Sequence, residues 1–181
     1  MTGGKYRVSV AGFRRDFISD DPSLETTYRH AMFHWGIWVE RKDSGGPGRL
    51  YHVEEHPPMN SAGGVIPGGW KLELRNSDSR TSQRLIGRIM VGKLPAGKGF
   101  DEIEALLSQV PTPVEGNGEN CITWTMNAIR LLQRQEPIAW AEEFNVEEFM
   151  NHAYSRIKDW HLKNKWRHAD HKESYVNRKF D

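Results

Sequence analysis

Cysteine is almost missing from this sequence: Cys121 is the only one among 181 residues, so no internal disulfide can form. Charge of either sign is not in excess. A net charge of +1 gives no overall attraction toward nucleic acid or anionic lipid, which confines any basic surface to a local patch. Long apolar runs are also missing, since no window approaches the roughly 20 apolar residues of a membrane span. The opening Met1-Thr2-Gly3-Gly4-Lys5-Tyr6 lacks the apolar core of a secretion signal. These shortages predict a reduced, intracellular protein of the cytoplasm with no membrane anchor. No internal repeat is visible, and a chain of this length suits a single domain, 1–181, able to bury a core without staples.

Two further motifs are lacking. Gly63-Gly64 and Gly68-Gly69 do not have the spacing of a phosphate-cradling loop and read instead as a flexible loop over residues 61–69, a candidate lid. Of the eight histidines, His161, His168 and His171 lie near one another without a compact zinc spacing. Neither a metal nor another cofactor is expected. The tail over about 167–181 is polar and is read without regular structure, and His161, His168 and His171 are read as solvated. From His161 onward Trp166 and Tyr175 stand among Lys163, Lys165, Arg167, Lys172, Arg178 and Lys179, and acidic residues offset the charge, so nucleic acid is not expected as a partner.

What is present is a change of period about halfway along. Lys5 to Ala11 alternates polar and apolar as a half-buried strand does. The aromatic run Ala31 to Glu40 and the run Arg49 to Glu54 flank Asp43-Ser44-Gly45-Gly46-Pro47-Gly48, a strong turn signal, and together read as a hairpin. Strands follow at Trp70 to Arg75 and Arg84 to Val91. From Phe100 the pattern becomes helical, with Ile103, Leu106 and Leu107 on one face. A second helix starts at Cys121 and is closed by Pro137. A third begins after Asn145 and carries Phe149, Met150, Ala153, Ile157 and Trp160. The fold class is α+β, an antiparallel sheet packed against helices.

The chemistry centres on Glu119-Asn120-Cys121-Ile122-Thr123-Trp124, which sets the thiol at a helix start, where the macrodipole and free N–H groups favour thiolate. Asn120 reads as the N-cap, and the Cys121 backbone N–H as an oxyanion donor. A thiol nucleophile needs a base. In His34-Trp35-Gly36-Ile37-Trp38-Val39 the odd positions form an apolar stripe, leaving His34, Gly36 and Trp38 on the other face. His34 is the candidate base there, with Gly36, Trp38 and Trp124 as candidate walls of a substrate cleft. Arg29, Arg41, Lys42 and Arg49 near the hairpin are read as solubilising charges.

These residues resemble the permuted papain-like thiol enzymes, a superfamily that includes NlpC-type hydrolases and the lecithin retinol acyltransferase group. The resemblance rests on His34-Trp35-Gly36-Ile37-Trp38-Val39, on Leu50-Tyr51-His52-Val53 and on Asn120-Cys121, with the histidine strand preceding the cysteine helix. It implies a permuted papain-like core, Cys121 as nucleophile, His34 as base and His52 as third member. It further implies hydrolase or acyltransferase chemistry through an acyl-thioester. Ile122-Thr123-Trp124 departs from the acidic-histidine-aromatic continuation of lipid-acting members. The expected substrate is therefore a soluble amide, thioester or peptide-like molecule, with small-molecule biosynthesis as one setting. A non-catalytic binding or accessory protein on the same fold is the alternative.

Hairpin geometry leaves the third member open. A turn centred on position 43 sets His52 opposite His34, on 44 Glu54, and on 45 His56, and all three share one face of the strand. The motif favours His52; the turn alone favours His56 or Glu54.

Overall fold

The computed structural model describes residues 5–56, 62–64, 69–163 and 171–177. Six strands, β1 (Tyr6–Arg14), β2 (Phe33–Arg41), β3 (Pro47–His56), β4 (Gly69–Asp78), β5 (Leu85–Lys93) and β6 (His171–Ser174), form one sheet in the order β4-β3-β2-β1-β5-β6. Four α-helices accompany it: α1 (Glu25–Tyr28), α2 (Phe100–Leu107), α3 (Cys121–Gln133) and α4 (Val146–Lys163). The molecule is an α+β fold. Its sheet is mixed rather than antiparallel throughout, because β6 runs parallel to β5.

That parallel strand corrects the reading of the tail as irregular. The polar residues of β6 are satisfied by α4, since Glu173 accepts from Arg156 Nε at 2.6 Å and pairs with His152 at 2.6 Å. His171 stacks on Trp160 with ring centroids 5.1 Å apart. His161, read as solvated, is buried and bonds Asp20 at 3.0 Å. A four-residue strand held by side-chain pairing leaves no apolar period to read. Trp166, Lys165, Arg167, His168, Arg178 and Lys179 lie outside the described residues, as does most of the candidate lid over 61–69.

The main core forms where the helices cover one face of the sheet. Trp35, Ile37 and Val39 of β2 meet Cys121, Trp124, Ala128, Ile129 and Leu132 of α3, with Phe149, Ala153 and Ile157 of α4 joining the cluster. Spacings of three and four along α3 place its buried residues on one stripe. Asn145 caps α4 by accepting from Glu148 N–H at 2.9 Å.

The other face is also buried, which the alternation of β2 does not reveal. A flat sheet would hold β4 and β5 four strand spacings apart, about 19 Å, yet only residues 79–84, partly in turns, connect them. The sheet must curl. Inside the curl Trp38 packs with Ala11, Phe13, Leu50 and Leu85, and donates from Nε1 to Glu40 at 3.2 Å. Glu40 in turn pairs with the fully buried Arg88, which lies over the Trp38 ring. Among the described residues no helix is long and apolar enough to cross a membrane.

Candidate active site

Cys121 is the first residue of α3, and its position follows from local sequence. Asn120 is extended and its Oδ1 accepts from Ile122 N–H at 2.9 Å and Thr123 N–H at 3.4 Å, while Thr123 Oγ1 accepts from Asn120 N–H at 3.4 Å. This reciprocal cap occupies two first-turn donors and leaves the Cys121 N–H as the donor beside the thiol. Asn120 is thus the cap the sequence predicts.

The thiol lies near the end of the β2–β3 ladder. The β2–β3 ladder runs from Val39↔Arg49 to Ile37↔Tyr51. Beyond Ile37 no further pairs form among the described residues, and the Trp35 backbone N–H favours the charged form of the Cys121 sulfur. Cys121 is 8 % exposed. Burial pushes its thiol up, and the Trp35 N–H, the Arg15 charge and the helix-start amides pull against that shift without reversing it. The expectation of a helix-start thiolate is therefore corrected: in the resting site desolvation outweighs the dipole, and the thiol is neutral.

Across the cleft His34 Nε2 lies 2.7 Å from His52 Nδ1, a hydrogen bond between two rings. The observed register centres the hairpin on position 44, which sets His52 against Gly36 and carries Glu54 toward the position opposite His34. His34 nonetheless reaches His52 diagonally, and Glu54 approaches the same His52 Nδ1 at 3.6 Å. Motif and turn geometry each identify one neighbour. His56, the remaining alternative, is engaged elsewhere: its Nε2 pairs with Glu73 on β4 at 2.8 Å.

Both rings are neutral near pH 7. Burial, then the His52 charge, lowers His34 to about 4, and burial, then Arg75, lowers His52 to about 4. His52 is 1 % exposed, and its Nε2 has no hydrogen-bond partner among the described residues.

His34, His52, Glu54, Asn120 and Cys121 line one cleft of about 770 Å³. Three of the expected walls are displaced from it. Trp38 is buried inside the curl, and Trp124 is buried in the main core. Gly36 opens no space for substrate either, because a Cβ there would stand 2.8 Å from the Tyr51 oxygen and 2.9 Å from His52 Cβ. Its missing side chain lets β3 approach β2, which is what brings His52 within reach of His34. The cleft is walled instead by Arg15, Tyr28, Trp70, Arg75 and Arg84. Sequence reasoning passed over these because they stand on loops, on the short α1 and on β4, away from the histidine and cysteine motifs.

Two groups in this region have the donor types of a metal site. The ligand atoms of His34, His52 and Glu54 lie within 4.8 Å of one another, as do those of Glu54, His56 and Glu73. Two nitrogens on one tetrahedral zinc stand about 3.3 Å apart, wider than the 2.7 Å between His34 and His52. That separation is a hydrogen bond's, so cation binding there requires the rings to part.

Residues 24–138, well over half of the chain, match a family of unknown function (DUF6540). The chain belongs to the DUF6540 family. The DUF6540 match spans β2 through α3 and so includes His34, His52, Glu54 and Cys121. Comparison with curated proteins and with solved structures finds no match.

Proposed function

We propose that the protein is a cysteine-dependent hydrolase or acyltransferase with a permuted papain-like core, acting on a soluble amide, thioester or peptide-like substrate. The observation that carries this reading is the His34–His52 hydrogen bond at 2.7 Å in a cleft that also holds a thiol at a capped helix start. A base oriented by a third group beside a nucleophile is the general arrangement of covalent acyl transfer.

The mechanism starts from a neutral pair. With His52 Nδ1 as acceptor, His34 carries its proton on Nε2 and presents Nδ1 as the base. As the Cys121 sulfur attacks the substrate carbonyl, an S–C bond forms and the thiol proton passes to His34. The carbonyl oxygen gains the negative charge and is met by the Cys121 N–H at the positive end of α3. Collapse breaks the bond to the leaving group, which takes the proton from His34. Water or an amine then attacks the thioester, gives its proton to His34, and releases the thiol. His52 holds the ring, and the Glu54 charge stabilises the imidazolium that forms.

The experiment uses p-nitrophenyl acetate, a small neutral activated ester, with intact-mass analysis. An acetyl adduct on Cys121 and nitrophenol release beyond one equivalent are expected, with acylation reduced about 100-fold or more in His34→Ala. A second reading, a non-catalytic binding protein on the same fold, is favoured by the buried, upward-shifted thiol. Absence of both adduct and turnover would establish that reading instead.

A further inference from the structure

The cleft wall contains four arginines, Arg14, Arg15, Arg75 and Arg84. Three of them face carboxylates: Arg14 pairs with Asp20 at 2.6 Å, Arg75 with Glu54 at 3.6 Å and Arg84 with Asp16 at 2.7 Å. Arg15 differs. No ion pair forms to it among the described residues, and its guanidinium is anchored only by donation from Nη1 to the Ala31 carbonyl at 2.5 Å. Its backbone is held as well, its N–H donating to Ser19 Oγ at 2.8 Å. The side chain is half-buried, and its charge reaches both Cys121 and His34.

A guanidinium held half out of water with only a carbonyl acceptor is under-satisfied, because it offers five donors in a planar fork that suits a carboxylate. Neighbouring arginines in the same wall have found such partners, so acidic residues are within reach of this region of the fold. Arg15 instead lines the same cleft as the nucleophile and the base.

We propose that Arg15 is a specificity-determining residue that binds a carboxylate on the substrate, next to the carbonyl that Cys121 attacks. The substrate class is then an acyl compound with a nearby acid group, such as a peptide's terminal carboxylate or an acidic side chain. Bidentate N–H···O bonds would fix the acyl group over the sulfur, so that binding energy is spent on orientation. This rests on the thiol-enzyme reading but is tested separately from it.

The test exploits the single cysteine. Iodoacetate and iodoacetamide alkylate the same sulfur by the same displacement, in which an S–C bond forms, the C–I bond breaks and iodide leaves. They differ in one charge. Because both react with the same thiolate, the ratio of their rates is independent of how much thiolate is present. In the full-length protein at mildly alkaline pH, the iodoacetate-to-iodoacetamide ratio is expected to exceed that of glutathione by about tenfold, an oriented charge pair being worth about 1.4 kcal/mol. It should fall to the glutathione value in Arg15→Gln, recover in part in Arg15→Lys, and shrink with added salt.

A wild-type ratio equal to that of glutathione, or one unmoved by Arg15→Gln, overturns the proposal. Failure of both reagents to label the folded protein overturns it too, because the sulfur then does not face the cation's cleft. Wild-type acylation by the neutral ester reads the parent reading on its own: acylation with no charge preference removes Arg15 alone. A charge preference without acylation leaves an anion site beside a thiol that is not catalytic.

Discussion

Gly36 shows how one missing side chain sets the chemistry. Its value lies in what it admits, since β3 occupies the space a Cβ would need and carries His52 to His34. Gly36→Ala is expected to push the strands apart. The clash with the Tyr51 oxygen and His52 Cβ at 2.8–2.9 Å is with backbone and a strand-anchored atom, neither able to swing away. A loss of about 1–3 kcal/mol in denaturant-measured stability follows from overpacking of this kind, together with loss of ester acylation. A variant as stable and as reactive as the wild type would contradict this account of Gly36. The residue is legible in the sequence as the small member of the histidine strand. Its role is not, because the partner that fills its space arrives from another strand.

At the scale of elements, the alternating strands and the capped helices were readable because a single force, burial of one stripe, shapes each of them. Asn120 and Asn145 mark helix starts by a local hydrogen bond that needs no tertiary information. Two kinds of element were hidden. β6 is held by Glu173 pairing with Arg156 and His152 on α4, a long-range polar arrangement with no period. The second face of β2 reads as a cleft-facing row, whereas the curl of the sheet buries Trp38 and Glu40 against Arg88. The candidate site was legible to the same extent. His34, His52 and Cys121 stand in motifs, and the register error left by a Gly-rich turn was small enough to keep the third member within three choices. The cleft walls, drawn from loops, α1 and β4, carry no comparable mark.

Taken as a whole molecule, the fold buries several histidines in their neutral form, and this couples its stability to pH. His34 and His52 are lowered to about 4, and His30 and His161 are lowered as well, in each case chiefly by burial. An unfolded histidine accepts its proton near about pH 6.5. Between about 6.5 and about 4 the unfolded chain therefore binds more protons, so stability is full above this window and falls as the pH is lowered through it. The slope contributed by one such ring is roughly 1.4 kcal/mol per pH unit. Urea midpoints measured from about pH 7 to about pH 5 should decline, and less steeply in His52→Gln. A midpoint unchanged across that range would show that these rings are hydrated and chargeable in the folded state.

The same neutral pair decides how the nucleophile works, which makes the pH profile of acylation the most direct measurement. With His34 as base, the rate of acetyl transfer from p-nitrophenyl acetate to Cys121 should be level from about pH 8 down to about pH 5, fall below that as His34 gains its proton near about 4, and drop about 100-fold or more in His34→Ala. A rate that instead climbs tenfold with each pH unit through this range, and is the same in His34→Ala, would mean that Cys121 reacts only as a free thiolate and that the His34–His52 pair has no part in its chemistry.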